Sequence, residues 1–482
     1  MGRGQGEGPL KIDAVIIGSG PNGLAAAIRL AQAGKSVTVL EAEDTIGGGA
    51  RSAELTRPGF VHDICSAVHP LAAGSSFFRS LPLGQYGLEL IQPPLPLVHP
   101  LDEGAVELRR SLDETAQGLG ADGQAYRRLM SPLVRNADFL MRQFFAPVRV
   151  MRETPFHSLL LARFGLLAIQ SAAGLARRVF KEPAARALLG GMAAHSIQPL
   201  TSLSTAGYGM MLGVSGHAYG WPVARGGSQK IADALTGYLQ SLGGSVVTNR
   251  RVRSMDDLPK ATAYLFDVTP RQLLSIAGSS LPAGYRTQLS NYRYGSGVFK
   301  LDYALDAPVP WRDARCLQAG TVHIAGALEE TVASEAAPSK GQVAERPFVI
   351  AAQQSLFDPT RAPAGRHTLW AYCHVPNGST VDMTGRIEAQ IERFAPGFTN
   401  RIIERSVMTP ADIERHNANC VGGDINGGSA DLRQWFLRPT WRQYRTPNRQ
   451  IYICSSSTPP TGGVHGLCGY FAANAALKGA FS

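Results

Sequence analysis

A short run of apolar residues near the beginning of the chain ends in glycines and is followed by small residues. Residues 14–17 are consecutively apolar, which is typical of a strand buried on both faces of a parallel sheet. Residues 18–23 read Gly-Ser-Gly-Pro-Asn-Gly, and the alanines at 25–27 favour a helix directly after this turn. A second apolar run at 36–40 predicts the next strand. The pattern therefore predicts a strand, a glycine turn, a helix and a second strand, in that order.

The three glycines of this turn have separate physical roles. Gly18 permits a tight turn, Gly20 lets the phosphates of a ligand approach the backbone, and Gly23 lets the helix pack closely on the strand. The first turn of the helix then directs free N–H groups at those phosphates. Glu41 follows the second strand at the spacing of an acid that accepts hydrogen bonds from a ribose. The unit predicts a dinucleotide site, with chance glycine punctuation as the alternative.

The same glycine spacing recurs at residues 118–123 and provides an internal control. No apolar strand precedes this second copy, and Asp122 indicates a helix cap. We therefore predict a loop there. The chain contains no second convincing strand–turn–helix fingerprint for a separate NAD(P)H domain.

Another glycine turn, at residues 47–49, leads directly to Arg51 and Ser52. Such a turn would let the chain wrap around a long cofactor, with Arg51 balancing pyrophosphate charge and Ser52 hydrogen-bonding nearby. A surface turn with a solvated arginine is the alternative. A simple nicotinamide dehydrogenase has no evident use for this second turn.

These two turns and three later segments resemble the FAD-containing oxidoreductases of the phytoene desaturase, carotenoid isomerase and amine oxidase superfamily. The later segments are residues 220–235, residues 243–252 and residues 451–470. The nearest form is the phytoene desaturase-like branch related to pyridine nucleotide-disulfide oxidoreductase domain protein two. The chain departs from the family pattern at Thr461, where relatives commonly have glycine, and it has Phe471 at the trailing aromatic or histidine position. Neither departure removes the backbone turn.

The resemblance implies FAD as the cofactor and assigns its contacts. In such proteins the residue matched by Val252 lies beside the adenine, and the turn matched by Gly463 and Val464 faces the pyrimidine end of the flavin. No metal site is predicted. The predicted cofactor-binding residues are Gly18, Ser19, Gly20, Pro21, Asn22, Gly23, Glu41, Ala42, Gly48, Gly49, Arg51, Ser52, Val252, Gly463 and Val464.

The matching segments are discontinuous, and at 482 residues the chain exceeds a single usual core. We predict an α/β protein whose Rossmann-type FAD-binding domain is built from residues 1–95, 222–290 and 405–482. An α+β substrate domain would comprise residues 96–221 and 291–404. The first of these inserts reads as mostly helical, and the second contains alternating stretches typical of a mixed or antiparallel sheet.

No catalytic triad is expected, because a flavin supplies the redox chemistry while the protein holds the substrate and excludes water. Three residues are weak catalytic candidates. His465 lies in the flavin-facing turn, Lys300 resembles the lysine that amine oxidases place near the flavin, and His69 follows the arginine turn closely. A capping role for His465, an ordinary sheet position for Lys300 and a packing role for His69 are the alternatives.

Composition narrows the class of protein. The six cysteines are dispersed and form no Cys-x-x-Cys pair, so disulfide reductase chemistry is not predicted. The 47 basic and 37 acidic residues give a formal charge of +10, but the arginines are spread out and no nucleic-acid module is recognised. The first eleven residues are polar, predict a loose tail and lack the apolar core of a signal peptide. Together with the dispersed cysteines, this predicts a cytoplasmic protein.

An apolar stretch at residues 156–180 bears on the substrate and on membrane contact. It carries Arg163 and ends in Arg177 and Arg178, so it falls short of a membrane-spanning helix. A helix buried in the substrate domain, a cover over an oily pocket and a helix lying in a membrane surface are the alternatives.

The leading functional hypothesis is an FAD-dependent oxidoreductase that desaturates, saturates or isomerises a lipophilic, polyene- or isoprenoid-like substrate. An FAD-dependent oxidase of amines or amino-acid derivatives is the first alternative. A non-enzymatic prenyl or lipid carrier of the same fold is the second alternative. The electron acceptor and the identity of the substrate stay open.

Overall fold

A computed structural model describes residues 12–147 and 155–482; the predicted amino-terminal tail lies outside this range. Within the described residues the chain builds two main sheets and two short two-stranded antiparallel sheets. The strands are β1 Ile12–Ile17, β2 Val37–Leu40, β3 Ser52–Glu54, β4 Val61–Asp63, β5 Leu90–Ile91, β6 Leu95–Pro100, β7 Ala105–Leu108, β8 Val223–Ala224, β9 Ser245–Val247, β10 Ala261–Phe266, β11 Gly297–Leu305, β12 Ala319–Ile324, β13 Val349–Ala352, β14 His367–Val375, β15 Ile402–Met408 and β16 Ile451–Ile453.

The first sheet is parallel and has the strand order β16-β10-β1-β2-β9. Its central strand, β1, is buried over its last four residues, and Ile16 is paired with Leu265 on one side and Val39 on the other. All five strands come from the three segments expected to build the cofactor domain. Because the carboxyl ends of parallel strands share one edge, the residues after β1, β2 and β10 meet there.

The second sheet has the order β15-β11-β14-β13-β12-β6-β7 and is mixed. Strands β12 and β6 are parallel, and its other neighbours are antiparallel. Strand β15 crosses the boundary predicted at 404/405, which is therefore wrong by a few residues. The physical reason is that β15 stays paired with β11 as far as the Lys300–Met408 pair.

Helices cover both sheets and form most of the first insert. They are α1 Pro21–Ala31, α2 Pro70–Gly74, α3 Ser76–Arg79, α4 Leu112–Gly118, α5 Gly123–Val134, α6 Ala137–Phe144, α7 Pro155–Ala168, α8 Ala172–Val179, α9 Pro183–Ala194, α10 Thr205–Ala218, α11 Gln229–Ser241, α12 Pro270–Ala277, α13 Ala283–Ser290, α14 Leu328–Ala336, α15 Thr384–Phe394, α16 Pro410–His416, α17 Leu432–Leu437 and α18 Leu467–Leu477.

In the described part of the chain, no single helix has the length and apolar composition needed to cross a membrane. Residues 158–168 of α7 and helix α8 meet that requirement only as a pair, on length and composition alone, and the pair is bent by 104°.

Helices α1 and α18 bring the two ends of the chain together. A Cβ atom added at Gly469 would lie 1.8 Å from the carbonyl oxygen of Asn22, so α18 packs backbone to backbone on the first turn of α1. Only glycine permits this approach. The packing places the loop before α18 next to the glycine turn before α1.

Candidate cofactor and substrate site

A cavity of about 700 Å³ runs between the two sheets and reaches both glycine turns and the loop before α18. This volume is within the range of binding sites for organic ligands. One end of the cavity is lined by backbone and charged groups of the parallel sheet. The other end is lined by aromatic and apolar side chains of the helical insert and the second sheet.

The first glycine turn forms one wall of the cavity. The N–H groups of Gly20 and Asn22 have no hydrogen-bond partner among the described residues, so they are free to bind an anion at the beginning of α1. Gly23 does not line the cavity, which corrects its predicted ligand contact. Its role is packing, because an added Cβ would lie 2.1 Å from the carbonyl oxygen of Gly18.

Asp267 follows β10 at the same edge of the sheet and was not predicted from the sequence. Its Oδ2 accepts a hydrogen bond of 2.9 Å from the N–H of Gly23. Burial raises the pKa of Asp267 well above its ordinary value, opposed by that hydrogen bond. A raised pKa favours the uncharged form of this carboxyl group, which repels an incoming phosphate less than a carboxylate does. The position of Asp267 at the carboxyl end of a parallel strand is the signal that would have revealed it.

The acid expected to bind a ribose, Glu41, lies at the next strand end. Its Oε2 accepts hydrogen bonds from Ser19, 2.9 Å from the backbone nitrogen and 2.6 Å from Oγ. Its Oε1 accepts from the N–H of Glu43. Carboxylate oxygens have further lone pairs, so this anchored group can still accept from a ligand hydroxyl. Val252 lines the cavity close to this end, where an adenine is expected.

The second glycine turn touches the first. A Cβ added at Gly48 would lie 3.1 Å from the Cα atom of Gly20, and Gly48 has a positive φ of 53°. Arg51 lines the cavity, where it donates to the carbonyl oxygens of Gly48 and His416. Burial lowers the pKa of Arg51, opposed by Glu41. A buried cation without a bonded carboxylate is available to a ligand phosphate.

Ser52 does not line the cavity, which corrects its predicted cofactor contact. Its Oγ donates to Asp63 at 2.7 Å and accepts from the N–H of Gln229. Alternation along β3 explains the difference, because Arg51 and Ser52 point to opposite sides of an extended backbone. Ser52 therefore supports the turn before α11 and does not touch a ligand in the cavity.

A buried ionic network lies behind that turn. Arg361 donates to Asp63 at 2.8 Å and to Asp358 at 3.1 Å, and all three side chains are fully buried. Asp63 also accepts from the N–H of Ser228, and Asp358 accepts from the N–H of Gly226. Burial would raise the pKa of Asp63, but the charge of Arg361 and the hydrogen bonds hold it below the ordinary value. The network fixes the 226–228 turn.

The loop before α18 closes the cavity at the carboxy-terminal side. Gly463 and Val464 line the cavity, and Thr461 has a positive φ of 120°. This strained conformation is held by the fully buried Arg438, which donates to Thr461 Oγ1 at 2.6 Å. The departure from glycine at Thr461 thus keeps the turn and adds a buried cation behind it.

His465 is buried in this loop and does not line the cavity. Its Nδ1 accepts from the N–H of Leu467, and its Nε2 donates to the carbonyl oxygen of Thr461. Burial lowers the pKa of His465 to about 4. Both ring nitrogens are engaged in the turn, so the structure gives His465 the capping role that was the alternative.

The other two catalytic candidates lie nearer the cavity. His69 lines it, with Nε2 2.8 Å from Ser228 Oγ. Lys300 is buried, forms an ion pair with Asp302 and lines a small adjoining cavity. Several residues line both cavities, among them Gly49, Cys65, Trp370 and Tyr372. Lys300 therefore lies behind this shared lining, while His69 lines the main cavity itself.

The second sheet turns one face towards the far end of the cavity, where Tyr372 and Ile350 line it. Lys300, Tyr372, Ile350 and His323 are consecutive cross-strand pairs on the same face. The aromatic residues at this end, none of which was predicted from the sequence, are Phe144, Phe145, Tyr208, Trp221, Trp370 and Tyr372. They come from α6, α10, β14 and connecting segments, so no local pattern links them.

The residues present fit the predicted FAD. Glu41, held by Ser19, can accept hydrogen bonds from a ribose. The free N–H groups at the beginning of α1 and the guanidinium group of Arg51, which has no bonded carboxylate among the described residues, can bind a diphosphate. The predicted cofactor residues that line the cavity are Gly18, Ser19, Gly20, Pro21, Asn22, Glu41, Ala42, Gly48, Gly49, Arg51, Val252, Gly463 and Val464.

The fold and this site define the class of fold: a Rossmann-like domain within the fold that the chain shares with solved amine oxidases. The model of the NAD(P)-binding Rossmann-like domain family matches residues 16–79. The predicted fold class and the predicted superfamily resemblance are confirmed.

Comparison with individual proteins gives the same result. The chain is 26% identical to pyridine nucleotide-disulfide oxidoreductase domain-containing protein 2 of Rattus norvegicus, over 97% of this chain and 93% of that protein. It is 25% identical to phytoene desaturase (neurosporene-forming) of Rhodobacter capsulatus, over 95% and 92% of the two chains. The structure of cyclohexylamine oxidase from Brevibacterium oxydans superposes with a TM-score of 0.60 at 16% identity, over 97% of this chain and 99% of that chain.

Proposed function

We propose that the protein is an FAD-dependent oxidoreductase acting on a lipophilic, polyene- or isoprenoid-like substrate by desaturation, saturation or isomerisation. The observation that carries this proposal is the continuity of the cavity, which joins a diphosphate cradle to an aromatic chamber. A cofactor held at one end would share a single cavity with a substrate at the other.

The chain's own residues would hold the cofactor in three places. Glu41 and Val252 lie where the adenosine is expected, the N–H groups of Gly20 and Asn22 together with Arg51 would bind the diphosphate, and the loop at Gly463 would border the ring. A bound flavin supplies two-electron redox chemistry. The backbone donors are already oriented, so binding needs little reorganisation.

The charge of the aromatic end favours a neutral substrate. Among the described residues, the carboxylates that line the cavity are Glu41, Glu43, Asp267 and Asp424, and none belongs to the helical insert or the second sheet. A protonated amine would find no carboxyl group on either of these segments, and its nearest partner would be Asp424, whose charge reaches Tyr208. Aromatic side chains and aliphatic ones such as Met211 and Leu212 instead match a hydrocarbon.

Oxidation of an amine is the second candidate, because Trp370 and Tyr372 meet edge to face with ring centroids 4.9 Å apart. Such a pair can bind a cation through its ring faces. The two candidates are separated by anaerobic mixing of the flavin-loaded protein with a panel of polyenes and a panel of amines. We expect bleaching of the flavin by a polyene; bleaching by amines alone would contradict the lipophilic assignment.

A lipid carrier of the same fold is not favoured, because a carrier has no use for free N–H groups and an unpaired arginine around a diphosphate-sized cradle. Saturable flavin binding and turnover of any substrate would exclude the carrier. A flavin-free protein that binds prenyl chains would favour it instead.

We also propose peripheral contact of this otherwise cytoplasmic protein with a membrane surface through α7. Leu159 and Leu166 are 79% and 71% exposed on this helix, and Arg163 lies between them. Exposed leucines beside arginine suit the headgroup region of an anionic bilayer. In a flotation experiment the protein should move with phosphatidylglycerol vesicles, and the double variant Leu159→Ser, Leu166→Ser should no longer do so. Val407→Ser, at an exposed valine of β15, is the matched control; equal flotation of both variants would contradict the contact.

A further inference from the structure

Three histidines, the half-buried His195 and the buried His323 and His99, form a line at the aromatic end of the cavity. His195 ends α9 and lines the cavity, and its Nε2 is 2.9 Å from Nε2 of His323. His323 lies on β12, next to His99 on the paired strand β6. The ring centroids are 5.0 Å apart for His195 and His323, and 6.2 Å apart for His323 and His99. Neither the diphosphate cradle nor the predicted catalytic candidates use these side chains.

The far end of the line fixes where the proton of His99 resides. Nε2 of His99 is 2.7 Å from the carbonyl oxygen of Gly326, which can only accept a hydrogen bond. His99 therefore carries its proton on Nε2 and leaves Nδ1 bare. Burial lowers the pKa of His99 to about 4, so the ring is neutral at neutral pH.

The tautomer of His323 follows from that of His99. Nδ1 of His99 and Nδ1 of His323 are both buried without a hydrogen-bond partner. They face a shared space above Gly191, since an added Cβ there would lie 2.8 Å and 2.7 Å from them. Two bare nitrogens facing one space would repel each other, so His323 carries its proton on Nδ1. Its Nε2 is then the acceptor.

His195 must consequently donate through Nε2–H to His323. Its remaining nitrogen, Nδ1, is then a bare acceptor on a ring that lines the cavity. Burial and the nearby His374 lower the pKa of His195 to about 3, so the ring stays neutral. Trp221 packs edge-on against the ring, at 5.7 Å between centroids, and limits its rotation.

We propose that His195 selects the substrate by accepting a hydrogen bond from a hydroxyl or N–H group on an otherwise lipophilic molecule. This rests on the proposed function, in which the aromatic end holds the substrate. His323 and His99 are positioning residues that hold the acceptor form of His195. The substrate class is thereby narrowed to lipophilic compounds that carry one hydrogen-bond donor, such as a hydroxylated isoprenoid or an aromatic alcohol.

The test compares 2-naphthol with 2-methoxynaphthalene, which has the same ring system and no donor. Affinities are measured by titration calorimetry on the purified full-length protein, which reads binding whether or not the flavin is bound. Wild type should bind 2-naphthol about tenfold more tightly, the effect of one net hydrogen bond. His195→Phe should abolish that preference by weakening 2-naphthol alone. His195→Gln, which restores an acceptor, should recover part of it.

The positioning role of His323 has its own readout. His323→Phe should reduce the preference for 2-naphthol, and His323→Gln should restore it, because the glutamine carbonyl can accept from His195. His367→Phe, at a half-buried histidine of β14 that does not line the cavity, is the matched control and should keep the wild-type preference.

Equal affinities of wild type for the two probes, no heat from either probe, or an unchanged preference in His195→Phe would overturn the assignment. Failure of the proposed function has a different signature: the protein would not retain FAD, which is read from its visible absorbance before any probe is added.

Discussion

At the residue scale, the site depends on positions where a side chain is absent. A Cβ at Gly20 would lie 2.7 Å from Oδ2 of Asp267, which is bonded to the N–H of Gly23. An alanine there must displace the carboxyl group into the space beside the free N–H groups. The backbone approach that a diphosphate needs would be lost.

We therefore expect Gly20→Ala to weaken FAD binding about tenfold or more while the protein still folds, because one misplaced contact is worth roughly 1.4 kcal/mol. Flavin content after gel filtration, together with reconstitution titrations, measures this. Gly284→Ala is the control, because its added methyl meets nothing within 4 Å and the position lies in α13. Equal flavin retention by both variants would show that the glycine turn is not the diphosphate site.

Residues whose roles follow from local backbone geometry were predictable from the sequence. Gly18, Gly20 and Glu41 occupy the predicted positions because one strand–turn–helix unit fixes them. Ser52 and His465 were misplaced, because the direction of a side chain depends on partners distant in the chain, Asp63 and Thr461. His195 was not predicted, because its role as a hydrogen-bond acceptor depends on His323, which is 128 residues away in the chain.

At the element scale, the turn before α11 is held from behind by a charge network. Arg361 is the single bonded cation between Asp63 and Asp358 among the described residues, and its side chain has no exposure to solvent. Removing one partner of a buried ion pair leaves a charge without compensation. The turn at 226–228 depends on the same carboxylates.

Arg361→Met should accordingly lower the free energy of unfolding by about 3–5 kcal/mol, the cost of an uncompensated buried charge. Arg57→Met breaks a pair with Glu404 whose side chains are both largely exposed, and should change the free energy by less than about 1 kcal/mol. Denaturant unfolding measures both. Similar effects of the two substitutions would contradict the structural role assigned to the network.

Helices and strands were predictable where the pattern of apolar residues agrees with the position of turn-forming glycines. The strand–turn–helix unit at the start of the chain is such a case. The loop predicted at residues 118–123 is instead the end of α4, a 3₁₀ turn at Gly120–Asp122 and the beginning of α5. Asp122 was expected to cap α5, but its carboxylate accepts from the N–H groups of Lys181 and Glu182 instead. The end of the second sheet was also misjudged, since β15 is defined by its pairing with β11.

At the scale of the whole molecule, several histidines are buried and neutral. Burial lowers the pKa of His69, His99 and His217 to about 4 and that of His195 to about 3. In the unfolded chain these groups titrate near 6.5. The unfolded state therefore takes up protons first as the pH falls, so acid favours unfolding.

We expect stability to be constant above about pH 7 and to fall as the pH drops from about 6.5 towards 4, by up to roughly 1.4 kcal/mol per pH unit for each such histidine. His99→Gln should make the fall less steep, because one proton fewer is taken up. Denaturant unfolding at several pH values between 4 and 8 measures the slope. The comparison with His99→Gln isolates one histidine from buried carboxyl groups such as Asp302, whose raised pKa acts in the opposite direction. An identical slope for wild type and His99→Gln would contradict a neutral, buried His99.

The parallel sheet and its ligand edge could be inferred from the sequence because each strand precedes a recognisable turn. The shape of the aromatic chamber could not, since it forms only when α6, α10 and β14 are brought together. The substrate selection that we propose therefore depends on the part of the molecule that is least predictable from the sequence.

The most direct test of the account is the flavin content of the purified full-length protein. Its visible absorption spectrum, followed by release and mass measurement of the pigment, should show FAD close to one molecule per chain, as isolated or after reconstitution. A folded, colourless protein that takes up no FAD at saturating concentration would contradict the assignment of the cavity.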